Sequence, residues 1–86
     1  MKSIETLRDE QAAQEAAMYK TEEDVRLVAE WRSLDKTRSL VEDDDAHVAA
    51  WRLICNRQHE IIKELEEAHP GLDFVSVYFF MDIISK

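Results

Sequence analysis

The chain has 86 residues and a mass of 10.1 kDa, with 45% hydrophobic residues and only one glycine and one proline. Eleven basic and nineteen acidic residues give a net charge of −8. This composition predicts a single globular domain, residues 1–86, and excludes a disordered chain, a turn-rich β protein and, with one cysteine, a disulfide scaffold. Because phosphate backbones repel a net-negative surface, we expect a protein partner with a basic surface and no direct nucleic-acid binding.

The sequence shows no targeting or membrane signal. Residues 1–10 are polar and charged without an apolar core, so they predict no signal peptide. The longest apolar-rich stretch, residues 72–84, contains Asp73, Ser76 and Asp82 and is shorter than the roughly 20 residues that a bilayer span needs. We therefore expect a soluble, cytoplasmic protein that has no contact with membranes.

The first predicted helix covers about residues 4–20 and contains no helix breaker. Ser3 can cap it by accepting a hydrogen bond from an otherwise unpaired backbone N–H. Ile4 and Leu7 begin its apolar stripe, but only alanines continue the stripe through the middle of the helix. Such a face packs closely and buries little area, so we expect this helix to be loosely held.

A second helix is predicted over about 22–41, either as a separate element or as a continuation of the first. Thr21 and Asp24 have the spacing of a capping box, which favours a new start at this point. Apolar residues lie on two nearly opposite sides of the helix, with Leu27 and Trp31 on the main side. A helix with two apolar sides contacts two neighbours.

An acidic run then interrupts the helical pattern. We expect a solvated loop whose carboxylates cap the next helix and favour its positive end. A cation site is the alternative, but it needs six or more oxygen ligands, and the spacing of an EF-hand loop is absent. We also assign three residues of this run to a surface for a basic partner: Asp43, Asp44 and Asp45.

The third helix, about residues 45–68, has the clearest amphipathic pattern of the chain. Apolar residues recur along one face at three- and four-residue spacing. Gln58 falls in the middle of that face, so it needs a hydrogen-bond partner if it is buried. The opposite face carries a row of carboxylates, formed by Glu60, Glu64 and Glu67.

The last apolar segment is rich in β-branched and aromatic residues, which favour a strand, but its spacing favours a helix over about 73–84. Asp73 is a good N-cap, and a lone strand would have no partner in this chain. The helix is apolar nearly all round, so it lies either at the centre of the bundle or beneath a second chain. We expect Phe79, Phe80 and Ile83 to be exposed in a monomer and to form a homodimer contact.

No constellation in the sequence predicts catalysis or a bound cofactor. Cys55 and His59 stand four residues apart on one helix, which suits two zinc ligands, but a structural site needs two more. The same two residues could form a thiolate–imidazole couple, but a cysteine on an apolar face is inert. We therefore expect a protein that is not an enzyme, with no catalytic residue, no metal and no cofactor.

These patterns together predict an all-α fold, a compact bundle of three or four helices. The residues expected to be buried in its core are Trp31, Trp51, Ile54, Ile62, Leu65 and Phe74.

The carboxylate row allows two interpretations. It is either ordinary solubilising charge or an imitation of a phosphate backbone that occupies a basic groove. Small acidic inhibitors of nucleic-acid enzymes, including phage-encoded ones, share this general character, although no motif assigns the chain to a family. The sequence therefore predicts a small non-enzymatic module that acts by occupying a basic partner, as an inhibitor or nucleic-acid mimic. The alternative is a homo-oligomeric helical module with no separate ligand.

Overall fold

The computed structural model describes residues 3–41 and 47–85. These residues form four helices and no strand, which confirms the all-α prediction. The helices are α1 (Ile4–Met18), α2 (Glu22–Leu40), α3 (Val48–Ala68) and α4 (Ser76–Ile84).

Side-chain caps mark the starts of α1 and α2, so residues 3–41 form two separate helices. Ser3 Oγ accepts a hydrogen bond from the backbone N–H of Thr6 at 3.2 Å, as predicted for the start of α1. The N–H of Asp24 donates to Thr21 Oγ1 at 3.1 Å, and the N–H of Thr21 donates to Asp24 Oδ2 at 2.9 Å. This reciprocal pair is the capping box that the spacing predicts, and it fixes the start of α2.

A tight turn joins α3 to α4, and the hydrogen bonds that follow it start the last segment as a helix rather than a strand. The N–H of Leu72 donates to the carbonyl oxygen of His69 at 2.8 Å, which closes the turn around the Pro-Gly pair. Asp73 Oδ1 then accepts hydrogen bonds from the N–H groups of Val75 and Ser76 at 3.0 and 2.8 Å. Asp73 therefore caps the turn that leads into α4. The predicted N-cap position is wrong, because the regular helix begins at Ser76 with Val75 as its N-cap residue and no side-chain cap hydrogen bond there.

Helix α4 lies at the centre of the fold. It packs chiefly against α1 and also touches α2 and α3, while α2 packs against α3 as an antiparallel pair. The sequence allows two positions for a helix that is apolar nearly all round, at the centre of the bundle or beneath a second chain. Helix α4 occupies the central position. The core that results is formed by Ala13, Leu27, Val28, Ile61, Ile62, Leu65, Leu72, Val77, Phe80, Met81 and Ile84.

The alanine face of α1 contacts the core closely. Ala13 is fully buried, and Ala12, Ala16 and Ala17 pack against the core beside it. Small side chains allow the helix axes to approach, but they bury little apolar area each. Larger apolar side chains at the two ends of α1 remain exposed, so alanine packing supplies most of the contact of this helix.

The predicted core is correct in part. Ile54, Ile62 and Leu65 are buried, and Trp31 is half-buried against the core. The predictions for Trp51 and Phe74 are wrong, since these side chains are 47% and 61% exposed. Trp51 lies in the first turn of α3, and Phe74 lies in the capping turn before α4, so neither continues the buried face of its helix.

The chain measures 42 × 33 × 22 Å along its principal axes. Its shortest dimension is about two helix diameters, so the fold is two helices thick. In the part of the chain that the structure describes, no helix is both long enough and apolar enough to cross a membrane.

Candidate functional site

Arg57 gathers three carboxylates from two helices on one surface. Its guanidinium donates to both oxygens of Glu30 on α2, with nitrogen–oxygen distances of 2.5 and 3.0 Å. On α3, Glu60 accepts from the same guanidinium at 3.2 Å, and Glu64 lies 3.8 Å from it. We call Glu30, Arg57, Glu60 and Glu64 the carboxylate cluster.

Local helix geometry explains how the carboxylate cluster forms. Positions 57, 60 and 64 share one face of α3, because residues three, four and seven apart lie on the same side of a helix. Antiparallel packing of α2 on α3 then brings Glu30 opposite Arg57. The hydrogen bonds from Arg57 hold the pKa of Glu30 below its usual value, so this carboxyl stays ionised to a lower pH than an isolated glutamate does.

The carboxylate cluster keeps an excess of negative charge in contact with water. Three carboxylates surround one guanidinium, so these four residues carry a net charge of −2 among themselves. The side chains of Glu60 and Glu64 are 66% and 51% exposed, whereas the bidentate bonds of Arg57 go to Glu30. Glu60 and Glu64 therefore keep oxygen atoms free to meet a cationic group from outside.

The structure brings together part of the predicted acidic surface. Glu60 and Glu64 join the carboxylate cluster, and Glu67 is an exposed residue near the end of α3, three positions beyond Glu64. Glu30 and Arg57 are not among the site residues predicted from the sequence. Residues 26–57 contain six basic and six acidic residues, a balanced pattern that is typical of ion pairing in general but does not identify partners on different helices. The remaining predicted residues, Asp43, Asp44 and Asp45, lie outside the described residues.

The predicted apolar contact surface is less exposed than the sequence indicates. Phe80 is fully buried, so the expectation that it is exposed in a monomer is wrong. Phe79 and Ile83 are half-buried and pack against the core. The central position of α4 is the reason, because three neighbouring helices cover more of its circumference than one amphipathic stripe would require.

Exposed aromatic surface lies instead at the start of α4, next to the half-buried Trp31 of α2. The rings of Phe74 and Tyr78 pack edge to face with centroids 5.5 Å apart. The ring of Tyr78 packs in the same way against Trp31, at 6.0 Å. We call Trp31, Tyr78 and Phe74 the aromatic row. Phe74 and Tyr78 are 61% and 40% exposed, and the adjacent Val75 is also exposed.

A small pocket of about 100 Å³ lies beside the aromatic row, bordered by Trp31, Tyr78 and Cys55. Gln58 also borders it and is buried. The amide of Gln58 donates to the carbonyl oxygen of Trp31 at 3.3 Å and to Asp35 Oδ1 at 3.4 Å. The prediction that a buried Gln58 needs a partner is therefore confirmed.

Two hydrogen-bonded side chains that are largely buried, His69 and Asp24, join three elements near the α3–α4 turn. His69 Nε2 lies 2.8 Å from Asp24 Oδ2, and the His69 ring packs against Phe80 with centroids 4.9 Å apart. Burial disfavours the charged form of Asp24, but hydrogen bonds from Thr21 and His69 outweigh burial and lower the pKa of this carboxyl. The pair thus links the start of α2, the end of α3 and the centre of α4.

The described residues contain no group of three or more histidine, cysteine or acidic side chains that could hold a metal ion. Cys55 and His59 do border the same pocket, as their four-residue spacing on one helix implies.

No protein-family model, no curated protein and no solved structure matches this chain.

Proposed function

We propose that the chain is a non-enzymatic protein-binding module that acts by occupying a basic surface of its partner. The observation that supports this proposal is the carboxylate cluster, in which one arginine holds carboxylates from α2 and α3 together. The exposed oxygens of Glu60 and Glu64 are the groups that meet lysine or arginine side chains of the partner.

The affinity for a partner depends on how far these side chains are already ordered before binding. A flexible glutamate on a surface loses rotamer freedom when it binds, which costs about 0.5–1.5 kcal/mol per side chain. Arg57 already restrains the carboxylates in the unbound chain, with its hydrogen bonds to Glu30 and Glu60. Binding of a partner to the carboxylate cluster therefore costs less conformational entropy than binding to scattered acidic residues.

Net charge adds long-range attraction to this local arrangement. A chain with a charge of −8 is steered toward basic surfaces and away from phosphate backbones. The proposal therefore includes no direct contact with nucleic acid, no membrane contact and no cofactor. It assigns the protein to the cytoplasm, where its single thiol stays reduced.

An inhibitor that imitates nucleic acid is a narrower form of the same proposal. Along α3, Glu60, Glu64 and Glu67 are separated by about 6 and 4.5 Å of helix axis. A strand of B-DNA carries one phosphate per about 3.4 Å, so the row has a lower charge density than nucleic acid. This difference supports a basic protein surface in general, with a nucleic-acid-binding groove as one kind of target.

The experiment is a quantitative affinity capture from the source cells with three forms of the chain. The wild-type chain is compared with Glu60→Gln/Glu64→Gln, which loses the exposed part of the carboxylate cluster. The matched control is Glu5→Gln/Glu15→Gln, which removes the same charge from exposed positions on α1. Mass spectrometry compares the proteins retained by each form, with and without added nucleic acid.

The proposal predicts a basic protein that is retained by the wild-type chain and the control but depleted with the cluster variant. Retention should fall as salt is added, because screening weakens exposed charge pairs. Loss of retention on addition of nucleic acid would identify the target as a nucleic-acid-binding groove. Equal retention by all three forms would contradict the proposal.

A further inference from the structure

Helix α1 packs on the rest of the fold mainly through small side chains. Of its residues, Ile4–Met18, only Ala13 is buried, and three further alanines pack against the core beside it. An alanine side chain buries little apolar area, so each of these contacts contributes little stability. The packing of α1 on α4 is therefore weaker than the length of the contact suggests.

Side-chain hydrogen bonds connect the other three helices to one another. Arg57 on α3 donates to both carboxylate oxygens of Glu30 on α2. Arg32 on α2 donates to Ser85, the residue that follows α4, at 2.7 Å. Proteins open in local cooperative units before they unfold as a whole, and the unit with the fewest buried apolar contacts opens first. In this chain that unit is α1.

Two carboxyl groups meet where α1 contacts the turn before α4. The side chains of Asp9 on α1 and Asp73 in the turn are hydrogen-bonded to each other, and both border a cleft of about 430 Å³. Among the described residues, the other charged side chains at this cleft are Glu5 and Arg8, both from α1. A hydrogen bond between two carboxyl groups needs one proton, because two carboxylates have no donor.

The surroundings of the two carboxyl groups assign that proton to Asp9. The backbone N–H and the hydroxyl of Ser76, together with the N–H of Val75, donate to Asp73 Oδ1 and lower the pKa of Asp73. Partial burial raises the pKa of Asp9, and the negative charges of Asp73 and Glu5 raise it further. Because the two pKa values are pushed apart, a protonated Asp9 donates to an ionised Asp73.

This assignment gives the packing of α1 a pH dependence of known sign. The pKa of Asp9 is raised when α1 is packed, so the hydrogen bond stabilises the packing fully below the value for a separated helix, about 3.9. The stabilisation is lost as the pH rises through the higher value of the packed state. Above it, two negative charges face each other across the contact and oppose it.

We propose that Asp9 and Asp73 form a pH-sensitive latch, which holds α1 on α4 when the two carboxyl groups share a proton and favours separation of α1 when they do not. At neutral pH α1 is then the first helix to separate, and its separation uncovers the apolar side of α4 that its alanines contact. This latch is independent of the carboxylate cluster and of the proposed function.

Hydrogen exchange at pH 4 and pH 7, followed by nuclear magnetic resonance, tests the latch with the wild-type chain and two variants. Asp9→Asn does not ionise, and its amide can donate to Asp73 at both pH values. Glu15→Gln removes the same charge from an exposed position on the same helix and is the matched control. Each exchange rate is divided by the intrinsic rate at that pH, and protection of α1 is compared with that of the buried Ile61 and Leu65 on α3.

In the wild-type chain, we expect protection of α1 relative to α3 to fall at least about threefold from pH 4 to pH 7, the effect of one modest hydrogen bond. Asp9→Asn should raise the value at pH 7 by a similar factor and abolish the fall, whereas Glu15→Gln should keep it. Equal protection of α1 and α3 at both pH values would show that the chain opens only as a whole and would overturn the proposal. An equal response of the two variants, or lower protection of α1 in Asp9→Asn, would overturn it as well.

Discussion

Replacing Phe80 with alanine should destabilise the chain far more than replacing Phe74, six residues earlier. Phe80 is fully buried at the centre of α4 and packs against His69, whereas Phe74 is 61% exposed. Truncating a buried phenylalanine costs about 3–5 kcal/mol, because apolar contacts are lost and a cavity remains. Phe74→Ala removes one edge-to-face contact with Tyr78, which is worth about 0.5–1.5 kcal/mol.

The expected loss at Phe80 is a large part of the total. A domain of this size has a free energy of unfolding of about 4–13 kcal/mol. Urea denaturation followed by circular dichroism measures both variants, at submicromolar concentration so that self-association does not contribute. If Phe80→Ala is unfolded without urea, Phe80→Leu gives a smaller loss that remains measurable. Equal midpoints for Phe80→Ala and Phe74→Ala would refute the central position of α4.

Three further predictions concern the junction around the capping box and the α3–α4 turn. His69→Ala leaves the buried Asp24 carboxylate without one partner and should lower the free energy of unfolding by about 1–3 kcal/mol, whereas His59→Ala, at an exposed site, should change it by less than about 0.5 kcal/mol. The pKa of Asp24 is lowered in the folded chain, so its carboxylate stabilises the fold fully above the unfolded-state pKa of about 3.9, and this stabilisation is lost as the pH falls through the lower folded-state pKa. Urea midpoints measured from pH 6 to pH 2 should therefore fall less for Asp24→Asn than for the wild type. Thr21→Ala removes the hydroxyl of the capping box and should cost about 1 kcal/mol, seen as a lower melting temperature, while an unchanged melting temperature would mean that the box does not stabilise α2.

Features that depend on a few neighbouring residues could be predicted from the sequence. Ser3 and the Thr21–Asp24 pair act as caps because the N–H groups they satisfy lie within three residues of them. The need of Gln58 for a partner follows from its place on an apolar face, but the identity of that partner does not. The carbonyl of Trp31 lies on another helix, at a position set by how α2 and α3 pack.

The errors have the same origin. Periodicity identifies which face of a helix is apolar, but it does not say how far a neighbouring helix extends along that face. Trp51 is on the apolar face of α3 and is nevertheless half-exposed, because it lies in the first turn of the helix. Phe80 shows the opposite error, since contacts with three helices bury a side chain that lies off the main stripe of α4.

The candidate site also contains residues that the pattern of one helix predicts and residues that only helix packing brings together. Glu60 and Glu64 are predicted by their spacing on one helix. Glu30 is not, because its distance from Arg57 depends on the relative register of α2 and α3. The spacing of residues within one helix does not predict the register between two helices.

The dissociation constant of the captured basic partner, measured by titration against three forms of the chain, tests the central claim most directly. For Glu60→Gln/Glu64→Gln we expect binding about tenfold weaker than for the wild type, which corresponds to about 1.4 kcal/mol for the two lost charges. Glu5→Gln/Glu15→Gln carries the same net charge and should bind within about twofold of the wild type if position rather than total charge matters. Equal weakening of both variants would show that overall charge alone drives binding and would contradict the assignment of the carboxylate cluster as the binding site.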